Sequence, residues 1–408
     1  MDNVTHSLFG YALGRCVVGS RITAERARPI DRAFVATSVL ASNAPDLDFV
    51  TGFFGSDRRL TYLLEHRGLS HTLLVALVLG AVTGFGCALV LRLRGARERV
   101  AVSLLGAAAC LLHVGCDFLN DYGVHPLYPF DNRWFYGDSI FIVEPLWLAL
   151  SLPLPALFGW HRSTRVLTRL FALGLVVLCA FVLPAARVLV VSVVMLAAGF
   201  AQWQLGARAW PALAASLGLI GLFALGSQLG ERQVREVLQR AVPDERILDL
   251  ASTPVPADPT CHRVLAVSLG AEGTYRVRLA RSQLFGPASA CSLLPSHPTA
   301  PLMAADVAST ANVRFEAVFA APASELRELV RNHCDAAALM RFIRVPFWLD
   351  RADGTVLGDL RYDRAPALEF AERKLSGSCA GLGGFSGWVP PRTDLLEHPP
   401  AQRSLRSH

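Results

Sequence analysis

Residues 111–122 read LLHVGCDFLNDY and lie at the end of an apolar run covering 100–119. On a helix, positions i, i+4 and i+8 share one face, so His113, Asp117 and Asp121 fall on a single stripe. Ionisable groups at membrane depth are costly, and where they occur they mark function. This helix anchors the reading of the whole chain.

The run is one of several long enough for the roughly 20 apolar residues that a bilayer crossing needs. Strong candidates are 69–91, 100–119, 140–159, 166–183, 188–204 and 211–229. Two weaker ones precede them. Segment 4–18 carries Thr5, His6 and Arg15, and segment 33–44 is short enough to be a half-membrane or bundle-buried helix. The expected fold is an all-α polytopic membrane bundle of about eight segments, one or two of them short, followed by a small α+β soluble domain. The domains are 1–230 in the membrane, 231–389 outside the cytoplasm, and a Pro- and Arg-rich tail at 390–408 expected to be disordered.

Composition agrees with this division. Of 408 residues 52% are hydrophobic and 18% charged, an apolar skew that changes to mixed charge near Gly230. The net charge of +6 comes from arginines in short loops, where they act as topology signals and not as a nucleic-acid surface. Arg21, Arg26, Arg28 and Arg32 flank one connection, Arg92, Arg94, Arg97 and Arg99 a second, and Arg162, Arg165 and Arg169 a third. If each of the eight segments crosses once, these loops share the cytoplasmic side. The other end then collects His6, Asp46, Asp48, His66, His71, His113, Asp117, Asp121 and His125, together with everything after Gly230. No cleavable signal peptide is evident, since 1–10 has no basic start and carries a His. The nine cysteines form no CxxC pair, and the four beyond Gly230 (Cys261, Cys291, Cys334 and Cys379) permit two disulfides.

Beyond Gly230 the pattern gives a helix at 231–241, a Pro-rich stretch STPVPADP at 252–259 that is a connector or an extended entry, and strands at 263–267 and 274–279. A helix at 324–331 would be capped by Ser324, and a hairpin pairs 341–349 with 356–362 through an Asp-Gly turn. No catalytic constellation is visible there.

Four polar segments could carry chemistry. His113 and Asp117 form H-x3-D, which brings imidazole and carboxylate to one ion, although a buried His–Asp pair is also an ordinary structural solution. In NAPDLD, residues 43–48, Pro45 favours an extended exit that turns Asp46 and Asp48 to one side. Two such carboxylates repel unless a cation joins them. HRGLSHT, residues 66–72, offers His66, His71, an Arg67 suited to phosphate, and a Ser70 that could cap the next helix. The aromatic stretch 122–148 reads as an interfacial Trp/Tyr belt, with Glu144 inside an apolar run where a carboxylate wants a cation or strong partner.

Together these segments resemble the YdjM-like family of membrane-bound metal-dependent hydrolases. The matches are D-x-x-T-H at 2–6, P-D-x-D at 45–48, H-R-G-x-S-H at 66–71, H-x3-D-x5-G at 113–123, and G-D-x-x-F-I-x-[DE]-P at 137–145. The family more often has Asp where this chain has Glu144. The resemblance implies metal ligands at His6, Asp46, Asp48, His66, His71, His113 and Asp117, and a location in a bacterial inner membrane. The order is also similar to zinc-dependent phospholipase C, which would add Glu144 as a later acidic ligand but whose N-terminal tryptophan ligand has no counterpart.

The expected activity is hydrolysis of a lipid or lipid-linked phosphoester at the periplasmic face, by two or three divalent ions with zinc first and manganese or iron behind. Asp46 or Asp48 would be ligand or general base, and Arg67 would orient the anionic head group. The alternative is a transporter, or a non-catalytic protein whose His/Asp cluster is a structural ion site.

Overall fold

The computed structural model describes residues 1–19, 25, 27–53, 57–292, 298–365, 368, 370–377 and 387–397. Helices α1 (Asn3–Val18) and α2 (Pro29–Ala41) open the bundle, and a 3-10 segment Pro45–Phe53 leads to α3 (Arg58–Glu65). Then come α4 (Leu73–Val90), α5 (Ala96–Phe118), α6 (Pro145–Ser151), α7 (Pro153–Phe158), α8 (Arg162–Val182), α9 (Ala185–Leu205) and α10 (Trp210–Ala241). Among the described residues, five helices are long and apolar enough to cross a membrane: α4, α5, α8, α9 and α10. Of the expected eight segments, these five are supported. At 16 and 13 residues, α1 and α2 extend only about 24 and about 20 Å, short of a hydrocarbon core of roughly 30 Å. The segment expected at 140–159 is broken into α6 and α7, because Pro153 lacks the N–H and its ring clashes with the preceding turn.

The arginine-rich connections do share one end. Ile30 and Phe34 at the start of α2 pack with Leu91 and Leu93 after α4. Arg15 at the end of α1 donates to the Phe158 carbonyl and lies over Trp160. The polar stripe of α5 sits at the opposite end.

Helices α4 and α5 approach closely through Gly80 and Gly106. A Cβ on Gly106 would lie 2.1 Å from the Gly80 carbonyl oxygen, and one on Gly80 2.3 Å from that of Gly106. This backbone contact, of the small-xxx-small kind, sets the spacing between the helix that follows His71 and the helix that carries His113. Gly106→Leu is expected to cost about 1–3 kcal/mol or more through overpacking, read as a lowered unfolding midpoint in detergent. An unchanged midpoint would show that the helices separate freely.

The C-terminal domain is built on two antiparallel sheets. The larger orders its strands β1 (Arg246–Val255), β2 (Asp258–Leu269), β3 (Thr274–Gln283), β5 (Val313–Pro322) and β4 (Met303–Ala304). The smaller is β6 (Pro346–Arg351), β7 (Gly354–Asp359) and β8 (Glu372–Lys374), with α11 (Ala323–Asn332), α12 (Cys334–Leu339) and α13 (Thr393–Leu396) alongside. The expected hairpin is present as β6–β7. Of the two readings of the Pro-rich stretch the extended one holds: it is the end of β1, its turn and the start of β2. Ser324 caps nothing, because α11 already begins at Ala323. Helix α10 runs unbroken through Gly230, so the boundary drawn there falls inside one continuous element. Gly226 explains why no side chain is tolerated nearby: a Cβ would sit 2.1 Å from the Pro259 carbonyl in the β1–β2 hairpin.

Strand alternation places Val264 and Ala266 against Val234 and Leu238 of α10. Leu265 and Val267 face the other way, into a core shared with Leu60 and Leu63 of α3 and with Tyr122 and Trp134 after α5. Tyr122 and Trp134 are therefore buried under the C-terminal domain, not displayed in a membrane-interface belt. Cys261 and Cys291 form a disulfide, and Cys334 is disulfide-bonded as well. Cys379 lies outside the described residues. The tail expected to be disordered is ordered to Glu397, with Leu395 of α13 fully buried, while 398–408 lie outside the described residues.

Candidate metal centre

Four elements converge at the end of the bundle opposite the arginine-rich connections. Helix α1 brings His6, the 3-10 segment brings Asp46 and Asp48, the bend after α3 brings His66 to His71, and the last turn of α5 brings His113 and Asp117. Asp46, His71, His113 and Asp117 each offer a ligand atom within 4.8 Å of the others.

The ring nitrogens define the centre. His113 Nδ1 lies 2.7 Å from the Ser42 carbonyl oxygen, which only accepts, so Nδ1 carries the proton and Nε2 a lone pair. His71 is held alike: its Nδ1 faces Ser70 Oγ at 2.9 Å and Asp48 Oδ2 at 3.3 Å. The two Nε2 atoms then face one another 3.1 Å apart. Asp117 Oδ2 is 3.0 Å from the first and 3.4 Å from the second, and Asp46 Oδ1 is 3.5 Å from both. The two Nε2 atoms and the two carboxylates together could hold a cation, and Arg67 and the Met1 amine already stand beside Asp117. His6 adds a fifth group. Its ring stacks on His113 at 3.8 Å, and its buried Nε2, 3.3 Å from Asp117 Oδ1, makes no hydrogen bond. The amine of Met1 also contacts Asp117 Oδ1. The donor set fits a divalent ion.

Asp48 stands one layer out. Its Oδ1 takes His66 Nδ1 at 2.7 Å, and its Oδ2 accepts from the Arg67 backbone N–H at 2.9 Å and from Ser70 Oγ at 2.5 Å. With both oxygens engaged it braces the two histidines and stands outside the group of four residues that could hold an ion. The two carboxylates expected to face one ion divide the work instead, because the segment is 3-10 and not extended. Burial alone would raise both Asp carboxyls. Hydrogen bonds and charge from His113 and His71 hold Asp46 well below the usual carboxylate range, and those from His66 and His71 do the same for Asp48. Loss of such a supporting carboxylate typically costs 10–100-fold in metal affinity. Asp48→Asn should therefore weaken metal binding by about that factor in a competition titration with a chelator, and an unchanged affinity would refute the orienting role.

Arg67 adopts a left-handed backbone, φ 60°, which lets its N–H reach Asp48 while its guanidinium turns inward. There Nε is 3.1 Å from Asp117 Oδ2, Nη1 donates to Asn120 Oδ1 at 2.8 Å, and the group lies over the Tyr122 ring.

Three sequence candidates are placed elsewhere. Glu144 caps α6 and also accepts from the Ala257 N–H at 3.1 Å, so it pins the β1–β2 turn to the bundle and lies outside the His/Asp cluster. Its partner is backbone, which no His/Asp pattern could show. Asp121 accepts from Thr253 Oγ1 at 2.7 Å and faces the C-terminal domain. His125 is sandwiched between Trp134 and Trp388, and burial pushes its imidazole down to about 3. Asn3 was missed by sequence reading: its amide donates to Asp46 Oδ2 at 2.9 Å.

No curated protein and no solved structure matches the chain. The likeness to zinc-dependent phospholipase C is not shown by these comparisons. A family model, described as YdjM inner membrane protein, matches residues 1–188, a span that includes α1 to α8 and every residue of the cluster. Over those residues the chain is similar to the YdjM inner membrane protein family.

Proposed function

We propose that the bundle is a metal-dependent hydrolase of phosphoesters, lipid or lipid-linked, working at the periplasmic face of the inner membrane. The observation that carries this reading is the pair of His71 and His113 Nε2 lone pairs meeting between Asp46 and Asp117. His6, Asp46, His71, His113 and Asp117 would hold the ion, and mixed imidazole and carboxylate donors suit zinc. When bound there, such an ion supplies Lewis acidity and lowers the pKa of water.

The protein's own groups do the rest. Arg67 neutralises anionic oxygens beside the cluster. His66, braced through Nδ1 by Asp48, presents its imidazole to the adjoining cavity and exchanges a proton with the reacting oxygen. Asp48 keeps that imidazole in one tautomer, so Asp48 acts by positioning and not as the base itself.

Placement of the C-terminal domain outside the cytoplasm is supported by the Cys261–Cys291 disulfide, since such bonds persist in oxidising compartments. The cysteines of α1, α4, α5 and α8 are free. A transporter would spread ionisable groups through the bilayer, whereas here they gather at one end. The test compares metal-stripped and zinc-reloaded protein against a panel of phosphodiesters and phospholipids. Turnover restored by metal and absent in His71→Ala is the expected result, and no turnover of any phosphoester by loaded protein would refute the hydrolase reading.

A further inference from the structure

A groove of about 920 Å³ runs between α1, α2, α7 and α8, on the far face of α1 from His6. We infer that this groove seats the apolar chain of the substrate, so that a phosphoester with a long hydrocarbon tail reaches the metal cluster sideways from the bilayer. The inference rests on the metal-hydrolase reading and gives it a substrate class. The chain is part of what is recognised, and a head group without one is a poor ligand.

Three observations carry it. First, three helices each turn an apolar face to the groove. Val4 and Leu8 on α1, Ala36 and Leu40 on α2, and Leu167 and Phe171 on α8 are pairs four positions apart, each lying along one helix face. Helix α2 packs its other side, Ala33, Thr37 and Ala41, into the bundle. Its groove face is therefore surplus to the core and meets hydrocarbon. Second, the groove ends beside a candidate metal ligand. Its wall residue Ser7 accepts from Asn43 Nδ2 at 3.0 Å, and Asn3 Nδ2 donates to Asn43 Oδ1 at 3.4 Å and to Asp46 Oδ2 at 2.9 Å. Helix α1 walls the groove off from His6, and this relay passes over its first turn. A chain lying in the groove thus carries its head group past the exposed Asn3 to Asp46. Third, the surroundings of the cluster are built for a bilayer. At about 24 and about 20 Å, α1 and α2 stop short of a hydrocarbon core of roughly 30 Å, so a phosphoester held in the leaflet reaches their ends more directly than one dissolved in water. The 3-10 segment that turns Asp46 inward also exposes Leu47, Phe49 and Phe53. These side chains continue the apolar surface around the cluster, as an interfacial anchor does.

The test uses full-length, zinc-loaded protein in nanodiscs of a galactosyl diacylglycerol, a bilayer lipid without phosphate. Two trace probes carry the same diazirine-bearing acyl chain, one as phosphatidic acid and one as diacylglycerol, and the crosslinked peptides are mapped. Lipid tails are as apolar as the groove, so a chain alone gains little by entering it. Capture of the head group must supply the preference. The phosphatidic acid probe should therefore label α1, α2 and α8 about tenfold more than the diacylglycerol probe, the worth of one hydrogen bond to a charged group. Stripping the metal should erase that difference. Ala36→Trp fills the groove from the side of α2 that faces away from the core, and it should cut labelling to the diacylglycerol level with metal content unchanged. Leu196→Trp, on an exposed face of α9 outside the groove, should leave labelling intact. Competition by unlabelled phosphatidic acid identifies a diacyl lipid as the source of the chain, and competition by a polyprenyl phosphate alone identifies a lipid-linked carrier. Equal labelling by the two probes, or labelling that neither competitor reduces, would mean ordinary boundary lipid and overturn the inference while leaving the metal centre standing. Phosphate-dependent labelling in a protein that binds no metal would keep the chain site and sink the hydrolase reading instead.

Discussion

His113→Ala is expected to lose tightly bound metal and to lower phosphoester hydrolysis by about three orders of magnitude. His113 is 1% exposed and sits at the midpoint of the cluster, with its Nε2 within 3.5 Å of His71, Asp46 and Asp117. Its loss removes one donor and leaves His71 and two carboxylates without the group that aligned them. Metal stabilisation of a reacting phosphoryl oxygen is worth several kcal/mol, and each 1.36 kcal/mol is a factor of ten in rate. The control is His125→Ala. That histidine is equally buried but packs between two tryptophans, so its loss should lower the unfolding midpoint while metal stoichiometry stays intact. Metal content and rate that fall alike in both variants would mean that the effect is one of folding.

The second large effect is at the join between the domains. Arg344 donates to Asp138 Oδ1 through Nη1 at 2.8 Å and to Asp249 through Nε at 2.8 Å and Nη2 at 3.0 Å, and it lies over the Tyr136 ring at 4.1 Å. One guanidinium thus bridges a loop of the bundle and β1. Arg344→Ala leaves the buried Asp138 without a counter-ion and Asp249 with Arg392 alone, and should cost about 3–5 kcal/mol. The expected readout is early release of the C-terminal domain in limited proteolysis.

The pH dependence gives this prediction a sign. In the intact protein burial raises Asp138 to about 6, Arg344 only partly offsetting it. For Asp249 burial is outweighed by Arg344 and then Arg392, which bring it to about 2. The more exposed Asp249 has two arginines, and Asp138 has one. In the variant Asp138 should titrate further above its unfolded value near 4, while Asp249 keeps Arg392. A raised acid contributes stability below the unfolded value and loses it as pH rises through the folded one. Arg344→Ala should therefore be markedly more stable near pH 5 than at pH 8. A variant equally unstable at both would place the loss in packing.

The bundle and its site were legible in the sequence to different degrees. His113 and Asp117 could be paired from spacing alone, and His71, Asp46 and His6 could be assigned to the same membrane end from loop charge. What spacing could not separate was ligand from support. Asp46 and Asp48 look equivalent in an extended strand, and only the 3-10 turn sends one inward and the other to His66 and His71. Glu144 looked like a ligand because a carboxylate in an apolar run needs a partner. The partner proved to be the Ala257 N–H, 113 positions away. Apolar runs are read by length and composition, so a run broken by Pro153 counts as one crossing until the backbone is seen. The cavity wall that Asn120 shares with Tyr362 of the C-terminal domain was beyond reach for the same reason, since only tertiary packing brings these residues to one cavity.

The most direct test of the metal centre is elemental analysis of the full-length protein, purified without added metal and dialysed against a weak chelator. At least one divalent ion per chain, zinc foremost, is the predicted result, and it should disappear in His113→Ala and Asp117→Ala. A protein holding no divalent ion, with both variants as stable as the original, would contradict the account.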